Sequence, residues 1–269
     1  MMKPLVKKLK PTGYVKLLDV MGSDVEIDKA ARVSYNGDKV ERSMEQRGRL
    51  IDYLMRNHHT SPFEMAELKF ELEMPIFVAR QHLRHRTASV NEISMRYSEP
   101  PDTFWVPEPR RLKKQSRDNK QGSSEECIEG AEFESQKIAS SMTIDFRLYE
   151  QLTQEKGLAK EVARTLLPVS TMTRMVWKID LHNFLHYCKL RMHEHAQEEI
   201  RLLAIAMYDL VKQTGKFEYT LKSFENHVLN AVTLSGEQVM ALRDVLNELD
   251  NTSSFKVKSV LPASITEPR

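Results

Sequence analysis

Cysteine is scarce and unorganised in this chain. Cys127 and Cys188 are the two present, and they form no CxxC pair. A protein of a reducing, cytoplasmic compartment is the expectation. No apolar run is long enough to span a bilayer, and Met1-Met2-Lys3 leads into no signal-peptide core, so no membrane partner is expected. The sequence holds no GxGxxG fingerprint and no HExxH; a nucleotide cofactor, if bound, is not held by a Rossmann-type turn. An excess of one charge is also lacking. With a formal net charge of +2, no global field argues for nucleic acid, and any basic site has to be local. No internal repeat stands out. Against these absences, 41% hydrophobic and 29% charged residues over 269 positions allow a sizeable core, in one domain or a large domain with an extension.

What is present concentrates in Arg80–Ser98, RQHLRHRTASVNEISMRYS. The preceding segment alternates Leu68, Phe70, Leu72 and Met74 with Glu67, Lys69, Glu71 and Glu73, the period of a strand with one buried face. Pro75 suits the first turn of a helix, where its missing N–H costs little. On that helix Gln81 and His85 fall four apart on one face, and Arg80 and Arg84 on the adjacent one. After Arg86, Thr87-Ala88-Ser89-Val90-Asn91 reads as a loop, because such side chains compete for backbone partners. A rigid strand and helix would therefore deliver a cationic loop suited to phosphorylated, planar ligands: arginine forks onto phosphate and stacks on rings. A solvated basic helix face is the other reading of the charge alone. The density of His, Asn and Ser among the arginines weighs against it.

Arg84-His85-Arg86, seven residues, then Ser94 resembles the signature of the flavin-dependent thymidylate synthases. Asp19–Tyr35, His58–Gln81, Glu161–Pro168, Trp177–Arg191 and His193–Ile200 are similar to further segments of that family, in the family's order. The likeness covers roughly residues 14 to 215 and matches poorly near 107 to 135. It implies an α+β fold, largely helical, with a small antiparallel or mixed sheet flanked by helices. The domain would be residues 1–215, with a mobile polar insertion about 107–126 and a helical extension over 216–269 ending in a polar tail from Asn251.

The implied reaction is reductive methylation of deoxyuridylate (dUMP) to thymidylate. The resemblance brings FAD and NADPH, with 5,10-methylenetetrahydrofolate as carbon donor, and a homotetramer whose sites are shared between subunits. It places Ser34, Ser61, Arg84, His85, Arg86, Glu92, Asp180, His182, His186 and His195 at the flavin. The family usually has amides where this chain has Asp180 and His186. Gln81, Arg84, Glu92, Ile93, Ser94, Met95, Arg96, Arg164 and Arg191 fall at nucleotide positions. Arg191 takes the place beside the uracil ring, where a fixed cation stabilises negative charge.

Several of these residues also have plainer readings. Ser34 suits a helix-end hydrogen bond. Ser61 with Glu64 suits a helix cap, and Asp24 caps the helix carrying Ala30, Ala31 and Val33. Ser94 has no activating base nearby in sequence, which favours nucleotide binding over a nucleophilic role. Cys188 sits mid-helix on an apolar face, as a buried thiol. Longer helices are expected over 41–56, with Leu50, Ile51, Leu54 and Met55 inward, over 135–155, over 158–167, and from His195 through Leu210. Asp180 should cap another, and two more follow over 217–229 and 236–249. His182 and His186 lie four apart, a zinc-ligand spacing; a metal hydrolase using them with His195, or a nucleic-acid module using the Arg80–Arg96 and Arg110–Lys120 clusters, would each leave the ordered motifs unexplained. No metal and no nucleic acid are expected.

Overall fold

A computed structural model describes residues 5–9, 13–37, 41–101, 103–118 and 120–252. The alternating segment is the spine of the fold. It forms β3 (Glu67–Pro75), preceded by β1 (Leu5–Leu9) and β2 (Gly13–Met21) and paired on its other side with β7 (Met172–Asp180). With β4 (Ser89–Glu92) these make one antiparallel sheet in the order β1-β2-β3-β7-β4. Leu68, Phe70, Leu72 and Met74 of β3 and Met175, Trp177 and Ile179 of β7 are buried on the sheet; each large side chain contributes about 1.5–3 kcal/mol by leaving water. Gly13 opens β2 at φ +114, and a Cβ there would collide with the carbonyl of Glu73, so the close strand approach requires glycine.

Helices between residues 24 and 228 flank this sheet, and one more follows them in the chain. In the first part of the chain come α1 (Asp24–Val33), α2 (Met44–Arg56), α3 (Ser61–Glu64) and α4 (Ile76–His82). After a hairpin of β5 (Lys113–Gln115) and β6 (Ser123–Cys127) come α5 (Ala131–Glu150), α6 (Lys160–Ala163), α7 (Leu181–Arg191), α8 (Glu198–Gln213), α9 (Glu218–Phe224) and α10 (Gly236–Thr252). The apolar stripe of α8, with Ile200, Leu203, Ala204 and Met207 buried, packs against β1, β2 and α7. The fold is the expected α+β one, and its sheet is wholly antiparallel. Two compact units emerge, residues 1–228 and 229–269, so α9 belongs with the sheet and α10 stands in the second unit. Among the described residues no helix is long and apolar enough to cross a membrane. The expected tail lies mostly at 253–269, outside the described residues.

Local expectations fail in instructive ways. The cap of α1 is Ser23, whose hydroxyl accepts from Val25 N at 3.1 Å. Asp24 turns inward instead, accepting from Tyr219 N at 2.7 Å and from the Thr220 hydroxyl at 2.6 Å. Ser61 is inside α3, after Thr60, whose hydroxyl bonds Glu64 at 3.0 Å. Of the four apolar residues assigned inward on α2, Ile51 and Leu54 are buried while Leu50 and Met55 are half-buried; Arg47 and Gly48 share the buried face. Helix α4 stops at His82, which puts Arg84 and His85 in the turn beyond it. Ser89–Asn91, expected as part of a loop, forms with Glu92 an edge strand on β7. His195 precedes α8 and does not open it. Residues 158–167 hold only a four-residue α-helix and a 3-10 turn, Arg164–Leu166.

Candidate active site

Asp180 closes β7 and caps α7, accepting from Asn183 N at 2.9 Å and from the Asn183 side chain at 2.8 Å. This sharp change from strand to helix aims the first turns of α7 at the chain leaving α4. A cleft of about 240 Å³ results, lined by Arg84, His85, Arg86, Thr87, Asn183 and His186. His186 also borders a second cleft, of about 150 Å³, with His182 and Lys189 on the same helix and His58, His59 and Thr60 on the facing loop. Phe63, Leu185 and Leu54 give this one an apolar floor. A cationic, amide-bearing cleft thus adjoins an apolar one across a single histidine.

At the far end of α7, Arg191 Nε donates to His85 Nε2 at 3.0 Å and its Nη2 donates to the Gln81 carbonyl at 3.1 Å. Burial above all, then the Arg191 and His186 charges, pushes the His85 pKa down to about 4, so the ring is neutral and its Nε2 free to accept. Behind it His82 is fully buried between Trp177 and Tyr187, with ring centroids 4.3 and 5.1 Å away and the Tyr187 hydroxyl 3.2 Å from Nδ1. Desolvation drives His82 down to about 3. Cys188 is fully buried and its thiol raised well above the usual value by burial, which leaves no thiolate for nucleophilic chemistry.

A second group forms beyond β4. Glu92 accepts from the Thr173 hydroxyl at 2.6 Å, and Ile93 N donates to the Arg174 carbonyl at 2.9 Å. Met95 is buried, and half-buried Ser94 accepts from Arg96 N at 3.4 Å. Arg96 pairs with the Glu161 carboxylate at 3.0 Å, and Arg164 Nε donates to the Glu161 carbonyl at 3.3 Å. Two arginines distant in sequence therefore meet at Glu161. β4 separates this group from Arg84–Thr87 by four residues, roughly 13 Å at strand rise.

Of the expected flavin residues, Ser34, Ser61 and His195 stand apart both from the two clefts and from the Glu92 group. Exposed Ser34 bonds the Ala31 carbonyl at 3.0 Å, the helix-end role. Exposed Ser61 is one residue past the Thr60 that lines the apolar cleft. His195, exposed beside His193, borders a different cleft made with the β5–β6 hairpin. The lining residues that sequence reasoning passed over include Asn183, Thr60 and Lys189. Of these Asn183 had a readable signal: it stands three residues after the capping Asp180, where an amide can bond the cap.

The family model of the thymidylate synthase complementing protein matches residues 16–214. The chain belongs to that family. The flavin-dependent thymidylate synthase of Wolbachia pipientis wMel is 44% identical over 243 residues, 89% of this chain and 83% of that protein. The one of Treponema denticola is 41% identical, covering 91% of each. Among solved structures, the UMP/dUMP methylase PolB from Streptomyces cacaoi bound with 5-Br dUMP is similar with a TM-score of 0.72 at 29% identity, covering 83% of this chain and 96% of that one. The family match ends at residue 214, one residue past the end of α8, so α9 lies beyond it.

Proposed function

We propose that this protein is a flavin-dependent thymidylate synthase that methylates dUMP to thymidylate. The observation that carries the reading is the pair of clefts joined at His186, beside an Arg191 fixed on neutral His85. A flavin dinucleotide has the matching chemistry: an anionic pyrophosphate for Arg84 and Arg86, and planar rings for the apolar cleft. The donors present fit that group, with Asn183, Thr87 and the His186 ring to orient it. FAD is the flavin we assign, NADPH its reductant and 5,10-methylenetetrahydrofolate the carbon donor.

The chain's own residues divide the work. Arg96 and Arg164, gathered at Glu161, take the nucleotide phosphate, and Ser94 adds a neutral hydrogen bond. Arg191 faces the uracil ring and stabilises the negative charge that C5 needs to attack the one-carbon unit. C5 forms the new carbon–carbon bond and loses its proton, and the one-carbon unit's bonds to the folate nitrogens break, releasing tetrahydrofolate. When bound, the reduced flavin supplies the two electrons that turn the transferred carbon into a methyl group. The two groups of arginines lie at opposite ends of β4, which supports sites completed across subunits of a homotetramer. With both of its cysteines free, the protein suits the cytoplasm.

The test is purification followed by FAD titration, then assay of thymidylate formation with dUMP, 5,10-methylenetetrahydrofolate and NADPH. A yellow protein, or one that saturates with added FAD and forms thymidylate, is expected. A protein that takes up no FAD refutes the reading.

A further inference from the structure

The segment beyond the family match is not an appendage. Lys216 O accepts from Asp24 N at 2.9 Å, and the Asp24 carboxylate takes the Tyr219 and Thr220 amides at the start of α9. The Tyr219 ring lies so close to α2 that a Cβ on Gly48 would collide with it. One turn later Asp52 of α2 accepts from the Ser223 hydroxyl at 3.1 Å and lies 2.7 Å from His227 Nε2. Glu225 bonds the Tyr208 hydroxyl at 3.0 Å and Lys212 at 2.8 Å. Every turn from 216 to 227 is therefore tied to α1, α2 or α8.

These ties hold two side chains at the apolar cleft. Phe224 and Val228 line it together with His182, Leu185 and Lys189. Phe224 is buried and serves the core as well, while Val228 is half-buried and lines the cleft. We propose that residues 218–228 form the closing wall of the flavin site, with Val228 contacting a planar ring of the dinucleotide and the Asp52–His227 pair as the positioning element. The inference rests on the flavin reading of the site. Its support is continuity: the cleft shares His186 with the Arg84–Arg86 cleft, and a molecule anchored there by pyrophosphate reaches this slot with a ring. That ring is adenine or isoalloxazine; both need the same flat apolar wall.

The experiment is a fluorescence titration of the full-length protein with FAD, and competition by ADP and by FMN, in wild type, Val228→Asn, Val228→Asp and His227→Gln. Thermal melts run in parallel, because a merely structural role would move the melt and not the affinity. Native-like melting is expected for the Val228 variants, since Val228 is not a core side chain. FAD affinity should fall at least tenfold in Val228→Asp, where a carboxylate enters the apolar slot beside an anionic ligand, and less in Val228→Asn and His227→Gln. Of ADP and FMN, the one whose affinity falls carries the ring that occupies the cleft. Unchanged FAD, ADP and FMN affinity in Val228→Asp overturns the inference while leaving the flavin reading intact. Wild-type protein without FAD affinity overturns both. Should Val228→Asp melt early, the isosteric Val228→Asn decides, with unchanged affinity again counting against the wall.

Discussion

Arg191, the last residue of α7, donates its Nε–H to Nε2 of His85 at 3.0 Å. The signature segment and the helix that follows β7 are thereby locked together at the atom that fixes the guanidinium plane. The lock needs an unprotonated Nε2, and the depressed pKa of His85, about 4, supplies it at any ordinary pH. His85 is thus a support for Arg191 as much as a wall of the cationic cleft.

If Arg191 stabilises charge that grows on the uracil ring, its loss belongs to the transition state. Arg191→Ala should reduce thymidylate formation about a hundred- to a thousandfold, the usual effect of losing one such donor. Arg191→Lys keeps charge but not the planar fork held by His85 and the Gln81 carbonyl, so it should recover only part. Flavin reduction by NADPH without nucleotide, followed by stopped flow, should survive both changes. Unimpaired thymidylate formation in Arg191→Ala would sink the role.

The two histidines of this region set an acid limit on the fold. Their folded pKa values, about 3 for His82 and about 4 for His85, lie below the ordinary 6.5. Between 6.5 and those values the unfolded chain binds protons that the folded chain refuses, so stability rises with pH across the window. It is fully present above 6.5 and is lost as pH falls toward 4 and then 3. Calorimetric Tm should therefore fall steeply from pH 7 to pH 5 in the wild type, and less steeply in His82→Gln, which keeps a polar side chain without the titration. Parallel pH profiles for the two proteins would count against this origin of acid sensitivity.

Period and capping made much of the fold legible. Leu68 to Met74 announced β3, Asp180 announced the start of α7, and the buried stripe from Ile200 to Leu210 announced α8, because in each case a local pattern and the tertiary packing ask for the same thing. Ser89–Asn91 was misread since its strand character comes from the edge of β7, a partner more than eighty residues away that local propensity does not register. Asp24 failed for a related reason: it looks like a cap, and a serine one position earlier does that work while the aspartate holds α9. Of the site, the motif Arg84-His85-Arg86 could be read directly. That Arg96 and Arg164 meet at Glu161, and that Phe224 and Val228 line one cleft with His182, depends on long-range packing alone.

The polar stretch after residue 107 also reaches the site, through a chain of side chains. Arg111 grips the buried Glu199 with two hydrogen bonds, Nε to Oε1 at 2.9 Å and Nη2 to Oε2 at 3.1 Å. Gln197 Nε2 donates to the same carboxylate at 2.8 Å, and its Oε1 accepts from Gln81 Nε2 at 2.6 Å. Gln81 is an expected nucleotide ligand whose carbonyl also steadies Arg191. Removing Arg111 strands a buried carboxylate, which typically costs about 3–5 kcal/mol, so Arg111→Ala should lower Tm. Stability alone would not prove a role in positioning, and the double variant Arg111→Met/Glu199→Met separates the two effects. It removes the buried pair together and should regain most of the lost Tm, as apolar replacements of such pairs commonly do. Yet Gln197 then lacks its acceptor, and Gln81 is no longer held. The KM for dUMP should stay raised by roughly two- to tenfold, the worth of one ordering hydrogen bond of about 0.5–1.5 kcal/mol, with FAD affinity unchanged. A double variant whose KM returns to wild type together with its Tm would show that the Arg111–Glu199 pair stabilises the fold without orienting Gln81.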